Sequence, residues 1–310
     1  GEVVAEVAMA SLGDADAATA AAAAAFEGEW PSWPVERRVA VCTAFCAALE
    51  RELDLIGAVW AVEAGIPLRW SRTLHRFAAK AAWSTALTVA EETLAPRMRT
   101  TAVGEISIEH DPVGPVLAVM PYNGPLATMG SKVIPALLAG APVVVKAAPE
   151  SALMMRIVSA CAVEAGFPAG VLSILPGGVE VSRHLVRDPR IEMISFTGGP
   201  QAASDILRES AARLPRTVFE LGGKSPALLM EDVDLAQALR SLVAGAMSGS
   251  GQICAALSRV LVPRSRHDEI VEAIAGAYRK LTIGDPLDKN TDHGPLANLQ
   301  ALRRTQDMVA

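Results

Sequence analysis

The chain has 310 residues, 51% hydrophobic and 20% charged, a balance that excludes a disordered chain or a small stapled scaffold and leaves room for two domains or one large one. Lys and Arg total 28 against 34 Asp and Glu, for a formal net charge of -6, and no basic run lies along the chain, so nucleic acid is not an expected partner. Four cysteines, at 42, 46, 161 and 254, show neither a CxxC spacing nor the density of a secreted disulfide framework, which makes a reducing cytoplasm the expected compartment.

The start carries neither the basic and apolar regions of a signal peptide nor an initiator Met, so a trimmed chain is expected. Residues 14–26 are alanine-rich and favour a helix, with Asp14 available as its cap. Residues 35–63 read as one long helix, because Val35, Val39, Cys42, Cys46, Leu49, Leu53 and Ile56 recur at three and four. Cys42 and Cys46 lie one turn apart on that stripe and are read as core, since no His pair completes a metal site. Over 105–109 polar and apolar residues alternate as in a half-exposed strand, a candidate arm. Residues 112–131 are uncharged, but four prolines and three glycines break any membrane helix there.

From 113 onward short apolar runs alternate with helical stretches, the pattern of a parallel sheet with crossover helices. Strands are expected at 115–120, 142–146, 171–175, 191–196, 216–220, 226–230 and 258–262. Five histidines, at 75, 110, 184, 267 and 293, are scattered without ligand spacing, so no metal is expected.

Ligands of an α/β sheet bind outside the carboxyl ends of its strands, and four segments fall there. In Pro121-Tyr122-Asn123-Gly124-Pro125 a rigid turn presents an amide that either donates to a developing oxyanion or satisfies its own turn. Lys146 closes a buried strand and either meets a ligand or snorkels to the surface, with Glu150 four residues on. Phe196-Thr197-Gly198-Gly199 joins a strand to a helix whose first amides suit a phosphate. The fourth combines Phe219-Glu220-Leu221-Gly222-Gly223-Lys224-Ser225-Pro226 with Gly249-Ser250-Gly251-Gln252-Ile253-Cys254, a mobile carboxylate and a cysteine that is either an exposed nucleophile or an inert core thiol.

In this order these segments resemble the NAD(P)-dependent aldehyde dehydrogenase superfamily. ELGGKSP at 220–226 followed by GQIC at 251–254 is the most specific part, and PYNGP at 121–125, SFTGG at 195–199, GDP at 284–286 and GPL at 294–296 add support. The resemblance covers essentially the whole chain and implies an α/β fold: a Rossmann-like nucleotide-binding domain over 1–96 and 113–222, the arm over 97–112, and the first part of an α/β catalytic domain over 223–310. It implies Cys254 as nucleophile, Glu220 as base and Asn123 as oxyanion donor. It further implies Lys146, Glu150, Phe196, Thr197, Gly198, Gly199, Leu221 and Gly222 as cofactor contacts. The implied cofactor is NAD, favoured by Glu150, with NADP the other candidate; the implied partners are a small-molecule aldehyde and further copies of the chain in a dimer or tetramer.

Five positions depart from the family pattern. Ala147 replaces the usual proline, Tyr122 a common tryptophan, Gly199-Pro200 a Ser-Thr pair and Ala203 a glycine. The family's Glu-x-Phe-Gly-Pro motif and its first strands do not occur, so truncation at both ends is expected. A CoA-acylating dehydrogenase and a non-catalytic nucleotide-binding chain are the alternative functions.

Overall fold

A computed structural model describes residue 3 and residues 5–310. Five helices come first: α1 Leu12–Glu27, α2 Val35–Arg51, α3 Leu53–Ala64, α4 Leu68–Leu74 and α5 Lys80–Leu94. The strands β1 Arg97–Thr101 and β2 Gly104–Ile108 follow, and then β3 Val116–Val119, α6 Pro125–Leu138, β4 Val143–Ala147, α7 Ala152–Ala165, β5 Leu172–Pro176, α8 Val179–Arg187, β6 Met193–Gly198, α9 Pro200–Ser210 and β7 Arg216–Leu221. The chain ends with β8 Ser225–Leu228, α10 Leu235–Met247, β9 Leu257–Leu261, α11 His267–Tyr278 and α12 Leu299–Val309.

The chain divides into two compact units, one made of residues up to Ile56 with Leu74–Glu220, the other of Gly57–Thr73 with Leu221–Ala310. Residues 57–73 thus group with the second unit, whereas the sequence placed them with the first 96 residues.

In the first unit five strands form a parallel sheet in the order β5-β4-β3-β6-β7. The strands read clearly because parallel strands are covered on both faces and become continuous apolar runs; every residue of β3 and β4 is buried, Lys146 included. Crossovers carry the chain from β3 outward to β5 and then back past β3 to β6, so the order reverses between β3 and β6. On one face Leu117, Val119, Val144, Ile194 and Phe196 pack against Ala15, Ala18 and Ala22 of α1, Leu185 of α8, and Ala203 and Ile206 of α9. Helix α6 packs against β3 and β4 and against α2 and α5, while α7 packs on α2 and β5.

Two local expectations are corrected. The first helix is capped by Ser11, not Asp14: the Asp14 amide donates to Ser11 Oγ at 3.2 Å, and the Ser11 amide donates back to the Asp14 carboxylate at 2.8 Å. The Ser-x-x-Asp spacing closes this reciprocal pair, which satisfies two orphan donors where one cap satisfies one. The single helix expected over 35–63 is two, broken at Glu52 (φ -93°, ψ 1°), whose amide bonds back to Leu49 and Glu50. Leu53 and Ile56 stay buried across the break, so the apolar stripe continues while the hydrogen-bond register does not. Cys42 and Cys46 are buried on α2 as expected.

The arm region is an antiparallel hairpin in which Arg97 faces Ile108 and Thr101 faces Gly104, and all ten strand residues are exposed. In the second unit β8 and β9 pair in parallel, and Leu229, Leu242 and Ile270 gather the core between that pair and helices α10 and α11. No helix among the described residues is long and apolar enough to cross a membrane.

Candidate active site

The carboxyl edge of the five-stranded sheet collects most of the residues singled out from the sequence. Asn123 lies in the turn after β3, half-buried, one residue before Gly124 caps α6 and Pro125 opens it. Lys146 sits in β4 opposite Val119 and Leu175, and Glu150 lies just beyond, in the short helical turn Pro149–Ser151. Phe196, Thr197 and Gly198 end β6, and Gly199 caps α9. Glu220 and Leu221 end β7, both exposed, and Gly222 follows them.

The pleat sorts these groups by face, since alternate residues of a strand point to opposite sides. Phe196 and Phe219 meet edge to face, 5.9 Å between centroids, on the side of α1, α8 and α9. Lys146 shares the parity of Val144 and falls on that side too. Ser195 and Glu220, one residue away from each phenylalanine, face α6. There Lys132, 6% exposed, donates from Nζ to Ser195 Oγ at 3.1 Å. Glu220 and Lys132 thus lie on the α6 side of the edge, and Lys146 and Phe196 on the other.

Electrostatics reinforce this arrangement. Burial lowers the Lys132 pKa, and the Glu220 carboxylate works against that shift. Burial likewise pushes the Lys146 ammonium down to about 8, opposed by the carboxylate of Glu150. An ammonium at 7% exposure is tolerated at a strand end where hydroxyls or an anion meet it. The Thr197 hydroxyl, also at this edge, is buried without a hydrogen-bond partner.

In the second unit Cys254 is exposed while the other three cysteines are buried. It follows a turn in which Gly249, Ser250 and Gly251 all have positive φ, 57°, 56° and 72°. A serine in this left-handed region costs ~1–2 kcal/mol unless its surroundings hold it there. Ser250, 2% exposed, is so held: Oγ donates to the Gly65 carbonyl at 3.2 Å and accepts from the Gly294 amide at 3.0 Å. Gln252 makes a second tie, donating to the Ala64 carbonyl at 3.4 Å and accepting from the Ala297 amide at 3.1 Å. The Cys254 carbonyl oxygen lies 3.5 Å from where a Cβ on Gly223 would sit, so the backbone after β7 runs close beside the cysteine turn.

Lys132 was not singled out from the sequence, and the ties made by Ser250 and Gln252, although both lie in the segment before Cys254, were not foreseen. Lys132 carries a signal, being the single charged residue of α6. Ser250 carries a weaker one, a lone side chain between two glycines. Gln252 stands inside the GQIC run, but its ties leave no signal there, because its partners are remote in sequence.

Comparison with known proteins gives a consistent result. The model of the Aldehyde dehydrogenase family matches residues 1–310. The chain is 35% identical over 300 residues to the geranial dehydrogenase of Castellaniella defragrans, covering 96% of this chain and 63% of that protein. It is 35% identical over 308 residues to the aminoacetaldehyde dehydrogenase of Pseudomonas aeruginosa, covering 96% of this chain and 61% of that one. Among solved structures, a Mycobacterium tuberculosis aldehyde dehydrogenase complexed with NAD+ is similar with a TM-score of 0.95 and 37% identity, over 100% of this chain and 64% of the other. The chain therefore spans somewhat over three fifths of the length of these relatives.

Proposed function

The chain belongs to the aldehyde dehydrogenase family, and on that premise we propose that it oxidises an aldehyde to a carboxylic acid with NAD through a covalent adduct on Cys254. The observation that carries this reading is Cys254 itself, alone exposed among four cysteines, on a left-handed turn fixed by Ser250. The cofactor's expected surroundings fit a dinucleotide. The strand order reverses between β3 and β6, Gly199 and α9 offer free amides for phosphate, Lys146 brings a buried ammonium, and Thr197 has a hydroxyl in want of a partner.

In the proposed reaction the Cys254 thiolate attacks the aldehyde carbon, and the Asn123 amide and the Cys254 backbone N–H hold the resulting oxyanion. Bound nicotinamide supplies the acceptor for the hydride that turns the thiohemiacetal into a thioester. Glu220 then takes a proton from the water that attacks the thioester carbon, and the Cys254 sulfur leaves. A sulfur nucleophile suits this sequence because a thioester hydrolyses more readily than an ester or amide. A carboxylate at position 220 supports water rather than CoA as the acyl acceptor. Lys146 is assigned to the adenosine ribose, Glu150 to its 2′-hydroxyl, Phe196, Thr197, Gly198 and Gly199 to the pyrophosphate end, and Leu221 and Gly222 to the nicotinamide end.

The same reading gives nucleotide binding to 1–96 and 113–222 and the nucleophile to 223–310. It makes the exposed hairpin over 97–112 an arm that pairs with a second copy of the chain. Four free thiols suit a cytoplasmic setting. The test follows reduced nicotinamide by absorbance with a panel of aldehydes, with and without CoA, for wild type, Cys254→Ser and Glu220→Gln. The proposal expects CoA-independent turnover abolished in Cys254→Ser, and a trapped acyl adduct in Glu220→Gln with release slowed about a hundredfold or more. Turnover by Cys254→Ser at the wild-type rate would refute it, and strict dependence on CoA would replace water as acceptor.

A further inference from the structure

The turn that carries Asn123 is anchored at both ends. At the strand end the Met120 amide donates to the Lys146 carbonyl at 2.9 Å. At the helix end Pro125 opens α6, and Thr128 bonds the Gly124 carbonyl twice, from its amide at 3.0 Å and from Oγ1 at 2.8 Å. These bonds make the Asn123 turn an extension of the first turn of α6.

What sets that first turn is α5. The buried residues of α5 are Trp83 and Ala90, and the Trp83 indole, 2% exposed, donates from Nε1 to the Leu126 carbonyl at 2.9 Å. A helical carbonyl that accepts from the amide four residues on keeps a lone pair for this second donor. Leu126 and Gly130 lie one turn apart and share a face of α6. A Cβ on Gly130 would stand 2.6 Å from both Ala82 Cβ and Trp83 Cδ1, so α5 lies against bare backbone of α6 at this point. The missing side chain sets how near the two helices come, and the indole bond sets their relative height. A slide of α6 along α5 would leave a buried N–H unmet and forfeit its desolvation cost.

We propose that Trp83 is a positioning residue for the oxidation: its indole N–H, acting through the Leu126 carbonyl and the first turn of α6, fixes where the Asn123 amide stands. The inference rests on the assignment of Asn123 to the oxyanion. In this role Trp83 acts through Asn123 alone. Placement matters because a donor must sit where the oxyanion forms, and misplacement by about 1 Å costs roughly a hundredfold.

Two variants disturb the contact in opposite ways. Trp83→Phe keeps a ring in place and removes the N–H, whereas Gly130→Ala keeps the indole and forces the helices apart. The chain has three asparagines, at 123, 290 and 298, so selective 15N-asparagine labelling gives three side-chain amide pairs, with that of Asn123 assigned by its loss in Asn123→Ala. Both variants are expected to move the Asn123 pair and to leave those of Asn290 and Asn298 in place. In turnover Trp83→Phe should lower kcat about tenfold, the effect of a displacement well under 1 Å, with the KM for NAD unchanged. In an Asn123→Ala background it should lower kcat no further, whereas a loss of general stability would act in both backgrounds. An Asn123 pair unmoved in both variants, or a loss of kcat that persists undiminished in Asn123→Ala, would overturn the role of Trp83. Wild-type turnover by Asn123→Ala would instead refute the oxyanion assignment, while the amide signals still decide whether Trp83 holds Asn123.

Discussion

Replacing Ser250 isolates what the turn before Cys254 contributes. Its hydroxyl is the link among three segments, donating to the Gly65 carbonyl and accepting from the Gly294 amide. Ser250→Ala leaves both backbone groups without that partner, and each buried unsatisfied group costs ~1–3 kcal/mol, so the pair should cost ~2–6 kcal/mol. Ser250→Gly removes the same two bonds but relaxes the left-handed backbone at φ 56°, recovering ~1 kcal/mol relative to alanine. The expected order of stability is therefore wild type, then glycine, then alanine. Urea unfolding reads the totals, and hydrogen exchange of a peptide containing Gly294 reads the local term, because its amide loses protection in both variants. If the turn shifts the thiol by about 1 Å, aldehyde turnover should fall roughly a hundredfold in the alanine variant. An alanine variant within ~0.5 kcal/mol of wild type, a change typical of an unconstrained surface site, would refute the argument that Ser250 holds the turn.

Brief iodoacetamide treatment followed by mass mapping should modify Cys254 alone, because burial pushes the Cys46 thiol up to about 12 and those of Cys42 and Cys161 upward too; equal labelling of Cys161 would contradict this. The Lys146 ammonium, held down to about 8 by burial, is present below that pH and lost as pH rises through it, so NAD affinity measured by calorimetry should weaken above about 8 and the dependence should vanish in Lys146→Met. Between about 8 and the ordinary lysine value of 10.5 the unfolded chain keeps this proton and the folded one does not, so this group makes the folded state more stable as pH rises across that window. Glu150→Gln should strengthen NADP binding about fivefold relative to NAD, the effect of ~1 kcal/mol between like charges a few ångströms apart in water; an unchanged ratio would remove Glu150 from the choice of cofactor.

The sheet was legible because buried parallel strands announce themselves without a partner in view: β3 to β7 begin and end within two residues of the expected segments. The helices were less legible where the deciding term is the backbone. Val35 to Ile56 keep one apolar period through the break at Glu52, and periodicity reports which face is buried, not which carbonyl each amide reaches. Capping went astray for a related reason, since Asp14 is a good cap taken alone and becomes the third residue of the helix only when Ser11 is weighed with it. In the site, Cys254, Glu220 and Asn123 were singled out by the order of their motifs and not by residue type alone, and to this the structure adds the exposure of Cys254. The holding roles of Ser250 and Gln252 were not, because both acquire their partners from segments more than forty residues away on either side.

The pleat explains why one strand can serve two purposes at its end. In β7 Phe219 packs against Phe196 on the side of α1, α8 and α9, and the next residue, Glu220, is thereby turned toward Lys132 and α6. A slip of one residue would reverse both orientations, placing a carboxylate against the apolar face and a phenylalanine beside a buried ammonium. The aromatic pair therefore fixes the direction of the proposed base without touching it. Ser195 does the same for Lys132, since the residue between Ile194 and Phe196 must face α6, where its hydroxyl accepts from that ammonium. Core packing on one face of the sheet thus sets the chemistry presented on the other, and the strand register carries the information between them.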